Sequence, residues 1–130
     1  MVTIKSMDGR RPDLREVIWV GDSKKRLKEF PQPVQKDMGD ALFVAQAGGK
    51  SPSAKPYRGI GSGAFEIVED YDTNTYRAVY TVKLGERIYV LHCFQKKSKR
   101  GIKTPQQEIN LIKRRFRMAQ EIEKEHEREN

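Results

Sequence analysis

Three strand-like segments joined by very short turns constrain the fold of this chain most. Phe65–Tyr71, Thr75–Lys83 and Arg87–Phe94 are rich in β-branched and aromatic residues, which favours strands. Only residues 72–74 and 84–86 separate them. Parallel neighbours need a crossover of about a dozen residues or more, so connections of this length predict an antiparallel meander.

Helical segments are predicted before the meander. The apolar run Val17–Val20 indicates a short first strand. Asp22 or Ser23 can cap a short helix that ends at Phe30, and a second helix begins after Pro31 because proline is favoured in a first turn. The second helix has one apolar face, made of Val34, Met38, Ala41, Leu42 and Ala45.

A last helix is predicted after the meander. Thr104 can cap it, Pro105 fits its first position, and Gln107 completes a capping box. The predicted fold is α+β, with the order β-α-α-β-β-β-α and the first strand at an edge of an antiparallel sheet. The helices are expected on one face of the sheet, and polar residues on the other, partly open face. Residues 48–63 are rich in Gly, Ser and Pro and are predicted to form a loop.

A chain of 130 residues is expected to form one domain with one modest core. We expect a flexible lead-in over residues 1–14 and a single domain over residues 15–122. The final residues 123–130 are strongly acidic, and we expect them to fray.

The charge of the chain limits its function. There are 26 Lys and Arg residues against 18 Asp and Glu, a net charge of +8. Such an excess is typical of proteins that bind polyanions, and nucleic acid is the first candidate. The chain has no apolar leader and no stretch near ~18 apolar residues, so we expect a cytoplasmic protein with no membrane partner.

A run of cations follows the third strand of the meander. Loops at strand ends often carry functional sites, and this run would contact phosphates rather than bases. Taken alone, a charge run is more often simply a solvated surface. The run contains Lys96, Lys97, Lys99, Arg100 and Lys103.

Arg77 is the most informative charged residue within a predicted strand. Strand alternation places Arg77 and Val79 on one face, and Tyr76, Ala78 and Tyr80 on the other. An arginine in a strand must reach water, a carboxylate or a phosphate, because an unpaired buried charge is too costly. Arg77 is therefore either paired with a neighbouring acid or a bidentate phosphate clamp. Of the five tyrosines, most are expected to pack in the sheet or at its edge, and one or two could stack on bases of single-stranded RNA.

His92 and Cys93 lie together in the third strand of the meander. His92 shares strand alternation with Ile88, Val90 and Phe94, which favours a side chain in the core, although an imidazole can also carry a proton. Cys93 is interpreted as a buried core residue. With His126, these residues do not have metal-ligand spacing, so no metal is predicted.

The chain resembles the phage-derived, HigB-like branch of the RelE/ParE toxin superfamily. The resemblance covers about residues 17–120, and the last of its five motifs is the most specific. The motifs are WVGDSKKRLKEFP (Trp19–Pro31), GDALFVAQAGG (Gly39–Gly49), KPYRGIGSGAFEI (Lys55–Ile67), YRAVYTV (Tyr76–Val82) and VLHCFQKKSKRGIKTP (Val90–Pro105).

The resemblance implies the toxin of a type II toxin–antitoxin pair. RelE-like and HigB-like members cleave mRNA in the ribosome without a metal or small-molecule cofactor: the ribose 2′-OH attacks the adjacent phosphate. The implied partners are the ribosome, mRNA and an adjacently encoded, DNA-binding, HigA-like antitoxin. Arg77 and Lys97 would stabilise the reacting phosphate, and His92 would carry a proton. Beyond the roles that the resemblance implies, we predict RNA contacts at Lys96, Lys99, Arg100 and Tyr76.

One motif departs from the pattern of the resembling ribonucleases. These often carry lysines on the strand before the hairpin turn, whereas here that strand reads FEIVEDY and supplies Glu66 and Glu69. ParE-like relatives inhibit DNA gyrase without cutting RNA, so the fold alone does not decide the activity. A gyrase inhibitor and a phage nucleic-acid-binding protein are therefore the alternative functions.

Overall fold

The structure, a computed structural model, describes residues 14–97 and 104–129. Within these residues the α+β class is confirmed, and the predicted elements occur in the predicted order with one strand added. The elements are β1 (Val17–Trp19), α1 (Ser23–Lys28), α2 (Gln32–Gln46), β2 (Ala54–Pro56), a 3₁₀ turn (Arg58–Ile60), β3 (Ala64–Tyr71), β4 (Asn74–Leu84), β5 (Arg87–Lys97) and α3 (Gln106–Glu129).

The five strands form one sheet in the order β1-β5-β4-β3-β2. The meander β3-β4-β5 is antiparallel as predicted, and β1 joins at an edge. However, β1 runs parallel to β5, so the sheet is mixed rather than fully antiparallel. A parallel pairing is possible here because the α1-α2 hairpin and the meander lie between the two strands in the chain.

Strand β2 lies within the segment that the sequence predicted to be a loop. Its three residues, Ala54 to Pro56, pair antiparallel with Ile67 to Phe65 of β3. The strand is short and contains a proline, which a sheet edge tolerates because one side needs no backbone donor. Its composition therefore gave no strand signal.

The helices cover both faces of the sheet, which corrects the prediction of helices on one face. α1 and α2 pack on one face, where their apolar residues join Tyr80 of β4 and Val90 of β5. α3 packs on the opposite face, where Ile112 and Ala119 join Tyr89 of β5. β5 carries apolar residues on both of its faces, so each face needs a cover.

A β-bulge at Leu91 changes which residues of β5 face α3. Val79 is opposite His92, but the next residue of β4, Tyr80, is opposite Val90. Leu91 is therefore the extra residue, and strand alternation reverses there. As a result Leu91 and Phe94 both belong to the core beneath α3.

The C-terminal segment is helical to Glu129, which corrects the prediction that it frays from residue 123. Glu123 is buried, with 5% of its surface exposed. Tyr89 donates a hydrogen bond of 2.6 Å to its carboxylate, and Arg87 Nη1 lies 3.1 Å from both carboxylate oxygens. The predicted lead-in, apart from Leu14, lies outside the described residues.

Candidate nucleic-acid interface

Arg77 and Glu66 form an ion pair on the face of the sheet that α3 partly covers. Arg77 lies on β4 between Val68 of β3 and Phe94 of β5, and its Nη1 contacts Glu66 Oε1. The two side chains are only 17% and 15% exposed. Arg77 Nε is buried and has no hydrogen-bond partner among the described residues. One carboxylate thus holds the guanidinium, and its Nε–H donor has no acceptor among the described residues.

Two lysines flank this ion pair on the same face. Lys96 lies two residues beyond Phe94 and opposite Thr75, while Lys55 of β2 lies directly opposite Glu66. Burial lowers the pKa of Lys96, and the charges of Arg77 and Lys55 lower it further, against the opposing effect of Glu66. We call Lys55, Glu66, Arg77 and Lys96 the charged row, because four adjacent strands contribute one residue each.

Tyr57 lies next to the charged row. Burial raises the pKa of its phenol, and the nearby charge of Glu66 raises it further. The ring lies against the 3₁₀ turn, where a Cβ added at Gly59 would be 2.9 Å from the Tyr57 hydroxyl oxygen. Glycine at position 59 therefore leaves room for the Tyr57 ring, which packs against the core beneath α3.

His92 lies beneath the first turn of α3, in the core position that strand alternation favours, and not at an exposed place where it could serve as the predicted proton carrier. The residue is 1% exposed, with Nε2 at 2.7 Å from Glu108 Oε1 and Nδ1 at 3.4 Å from Arg115 Nη1. Its ring also stacks on Phe94, with the centroids 5.0 Å apart. Since the Leu91 bulge turns His92 towards α3, the imidazole joins the sheet to the helix and is almost completely buried.

Arg115 connects α3 to α1 and β5. Its Nη2 donates to Asp22 Oδ1 at 2.6 Å, and its Nη1 donates to the Leu91 carbonyl oxygen at 3.1 Å. The hydrogen bond from Arg115 holds the pKa of Asp22 down at about 2. A Cβ at Gly21 would be 2.8 Å from the guanidinium, and Gly21 has a φ of +58°, so glycine allows this close approach.

Glu108 and Arg115 are not among the residues that the sequence predicts to be functional, although helix spacing contains the signal for Arg115. Arg115 follows Ile112 by three residues and precedes Ala119 by four, so it lies near the buried side of α3. The partner Asp22 cannot be found from spacing, because it is 93 residues away.

Tyr76 also needs correction, because it lies on the opposite face from Arg77. Its ring packs on Phe30 with the centroids 4.8 Å apart, and the residue is 5% exposed. It is therefore part of the core under α1 and α2. Cys93 is in the same core and 0% exposed, and burial raises its pKa to about 12, in agreement with its interpretation as a core residue.

The remaining predicted contacts lie at or beyond the limit of the description. Lys97 is the last residue of β5, and its side chain lies outside the described part of the chain. Lys99 and Arg100 also lie outside it, so their roles stay predictions. Among the described residues, no group of three or more His, Cys, Asp or Glu side chains could hold a metal ion. None of the described helices is long and apolar enough to cross a membrane.

The environment of His92 predicts that acid destabilises the fold. Burial lowers the pKa of His92 below its ordinary value of 6.5, although the carboxylate of Glu108 acts in the opposite direction; Arg115 and Arg26 lower it further. The unfolded chain therefore takes up a proton at a higher pH than the folded chain. The free energy of unfolding should fall as the pH drops below about 6.5, by at most ~1.4 kcal/mol per pH unit.

The measurement is urea unfolding of the wild type and His92→Gln between pH 7.5 and pH 5. His92→Gln should flatten the pH dependence in this window, since the amide keeps a donor for Glu108 but does not titrate. His126→Gln is the control, because His126 lies near the end of α3 and away from this contact. An unchanged slope in His92→Gln would contradict the assignment.

Together these features define a small, basic α+β protein whose sheet presents a paired arginine between two lysines. Over residues 25–117, more than half of its length, the chain matches the family described as Phage derived protein Gp49-like (DUF891), and it belongs to this family. The family is associated with RelE-like toxins and commonly with toxin–antitoxin pairs. No curated protein and no solved structure gives a significant match.

Proposed function

We propose that this protein is the toxin of a type II toxin–antitoxin pair, of the HigB-like branch, and that it cleaves mRNA on the ribosome. The observation that carries the proposal is the position of Arg77. It lies on a sheet face beside Lys96, holds a carboxylate, and keeps Nε without a partner among the described residues. A guanidinium in this state can exchange a carboxylate oxygen for a phosphate oxygen.

In the proposed reaction the ribose 2′-OH attacks the adjacent phosphate. Arg77 stabilises the charge that develops on the phosphate oxygens, which is typically the largest contribution of such a site. Glu66, the neighbouring carboxylate, is the candidate base for the 2′-OH proton once Arg77 turns to the phosphate. Lys96 holds a flanking phosphate, and Lys97, Lys99 and Arg100 are proposed to add contacts from the end of β5 and the segment that follows.

The ribosome is proposed to supply the geometry that the site lacks. Glu66 is ion-paired at 15% exposure and His92 is buried, so the protein alone has no exposed base for the 2′-OH proton at the charged row. Holding the attacking oxygen in line with the scissile bond can lower a barrier by several kcal/mol. A ribosome that bends the mRNA in its decoding site would provide this alignment.

We therefore expect cleavage to require the ribosome. Purified protein is incubated with one mRNA, either naked or bound to programmed ribosomes, at equal protein concentrations, and EDTA controls are run on the naked RNA. The ribosome-bound mRNA should be cut at least ~100-fold faster, because the loss of alignment costs several kcal/mol. Primer extension of the 5′ ends measures the rate.

Two results would reject this proposal. Equal rates on naked and ribosome-bound mRNA would rule out ribosome dependence and leave a general ribonuclease. If neither RNA is cut and the protein blocks DNA supercoiling by gyrase, the ParE-like alternative is correct.

An antitoxin is expected in either case. An acidic segment of the antitoxin that covers the charged row would be electrostatically complementary to a chain with a net charge of +8.

A further inference from the structure

Lys55 occupies a position that its sequence context did not mark as functional. It lies on the short edge strand β2, directly opposite Glu66 of β3. Directly opposed residues of antiparallel strands share a face, with their Cβ atoms roughly 5 Å apart. Lys55 is exposed, whereas Glu66 is mostly buried. An ammonium group on a flexible stem therefore lies at the open end of the charged row.

The sign of the charge changes twice along the row, which affects any polyanion that crosses the sheet. Lys96 and Arg77 are positive, Glu66 is negative, and Lys55 is positive again. A phosphate chain that extends from Arg77 towards β2 must pass the carboxylate of Glu66, which repels it. Such a path becomes favourable only when a cation lies beyond the carboxylate, and Lys55 is the cation at that place.

Lys55 is also available for a ligand. Arg77 already pairs with Glu66, and Lys55 makes no hydrogen bond or ion pair with any residue that the structure describes. Its charge nevertheless acts on Lys96, at the other end of the row. Strand register places the two outer lysines on the same face of the sheet, on either side of the central ion pair.

We propose that Lys55 binds a phosphate next to the one held by Arg77, so that the RNA crosses the sheet from β5 to the edge strand β2. This proposal rests on the proposed function. The lysine of the edge strand supplies the cation that β3 lacks, since the side chains of β3 near the site include the carboxylate of Glu66. Lys55 is a binding residue here and takes no part in proton transfer.

Equilibrium binding tests this proposal without any cleavage. The probe is a fluorescein-labelled, 2′-O-methylated RNA strand, which lacks the attacking hydroxyl, and anisotropy gives Kd between 30 and 200 mM salt. A single-strand phosphate contact contributes ~0.7 to the slope of log K against log salt. Lys55→Ala should weaken binding several-fold at low salt and reduce the slope by about 0.7. Lys36→Ala, an exposed lysine on α2, is the matched control and should change neither value.

The outcomes separate this inference from the proposed function. If Arg77→Ala weakens binding but Lys55→Ala leaves Kd and slope unchanged, the path over β2 is wrong and the RNA site remains. Weaker binding with an unchanged slope would mean that Lys55 acts only as a counterion of Glu66, which also overturns the inference. Failure of the wild type to bind the RNA at 30 mM salt would overturn this inference, whereas the proposed function is tested separately by cleavage on programmed ribosomes.

Discussion

Replacing Arg77 with alanine should lower the rate of the proposed ribosome-dependent mRNA cleavage by roughly 10²–10³-fold, the usual loss when one preorganised donor to a developing negative charge is removed. Arg77 is the only arginine in the charged row, and its Nε has no partner among the described residues. Arg77→Lys should recover only part of the rate, because an ammonium cannot make the two parallel bonds of a guanidinium. Single-turnover cleavage on programmed ribosomes measures the effect.

The Arg77→Ala experiment needs a control for stability, because the substitution leaves Glu66 mostly buried and unpaired. We expect a cost of about 1–3 kcal/mol from that carboxylate. The double variant Arg77→Ala/Glu66→Ala removes both charges and should regain stability without regaining activity. Arg117→Ala removes an exposed arginine of α3 and should keep the wild-type rate. Cleavage by the folded double variant at the wild-type rate would show that the site lies elsewhere.

The meander was predictable because its signals are local. Strand composition, short turns and alternation correctly placed Arg77 and Tyr76 on opposite faces. The alternation did not tell which face was open, so the sequence assigned both residues to RNA. The packing of Tyr76 on Phe30 of the α1-α2 hairpin shows that the Tyr76 face is the covered one. That contact joins residues far apart in the chain, so it cannot be read from a local pattern.

The site was less predictable than the fold, because its members come from separate strands. The carboxylate of Glu66 looked like a departure from the ribonuclease pattern, and the structure pairs it with Arg77. Lys55 lay in a segment whose glycines and prolines indicated a loop, yet pairing with β3 places it beside Glu66. The position of His92 depends on one extra residue, Leu91, and a bulge leaves no clear mark in a strand sequence.

The acidic end of the chain shows how composition can mislead. The run EIEKEHEREN suggested a frayed tail, since charged residues rarely pack. Glu123 is the exception, because Tyr89 and Arg87 both bond to its carboxylate. Burial alone would raise the pKa of Glu123, but the hydrogen bonds from Tyr89 and Arg87 and the positive charges of Arg87 and His126 together lower it. A buried charged residue with hydrogen-bond and ion-pair partners can thus anchor the second half of α3.

Replacing Glu123 with alanine should therefore destabilise the protein by about 1–3 kcal/mol, because the Tyr89 hydroxyl becomes a buried donor without an acceptor and Arg87 loses its buried partner. At this chain length the melting temperature should fall by roughly 4 °C per kcal/mol. Glu125→Ala is the matched control: Glu125 lies on the same helix, is 65% exposed and pairs only with the exposed Arg128. Its effect should stay within about 0.5 kcal/mol.

Gly85 provides a second test of the same anchor. It lies in the turn between β4 and β5 with a φ of +56°, and a Cβ there would be 2.0 Å from Glu123 Oε2. In the wild type, Gly85→Ala should cost the backbone penalty of ~1–2 kcal/mol and also displace the carboxylate. In the Glu123→Ala background only the backbone penalty remains, so the two substitutions should be strongly non-additive. Thermal unfolding of the four proteins measures this coupling. If the effects of the two substitutions on stability simply add, and Glu123→Ala is as stable as the wild type, then Glu123 does not stabilise the contact between α3 and the β4-β5 turn.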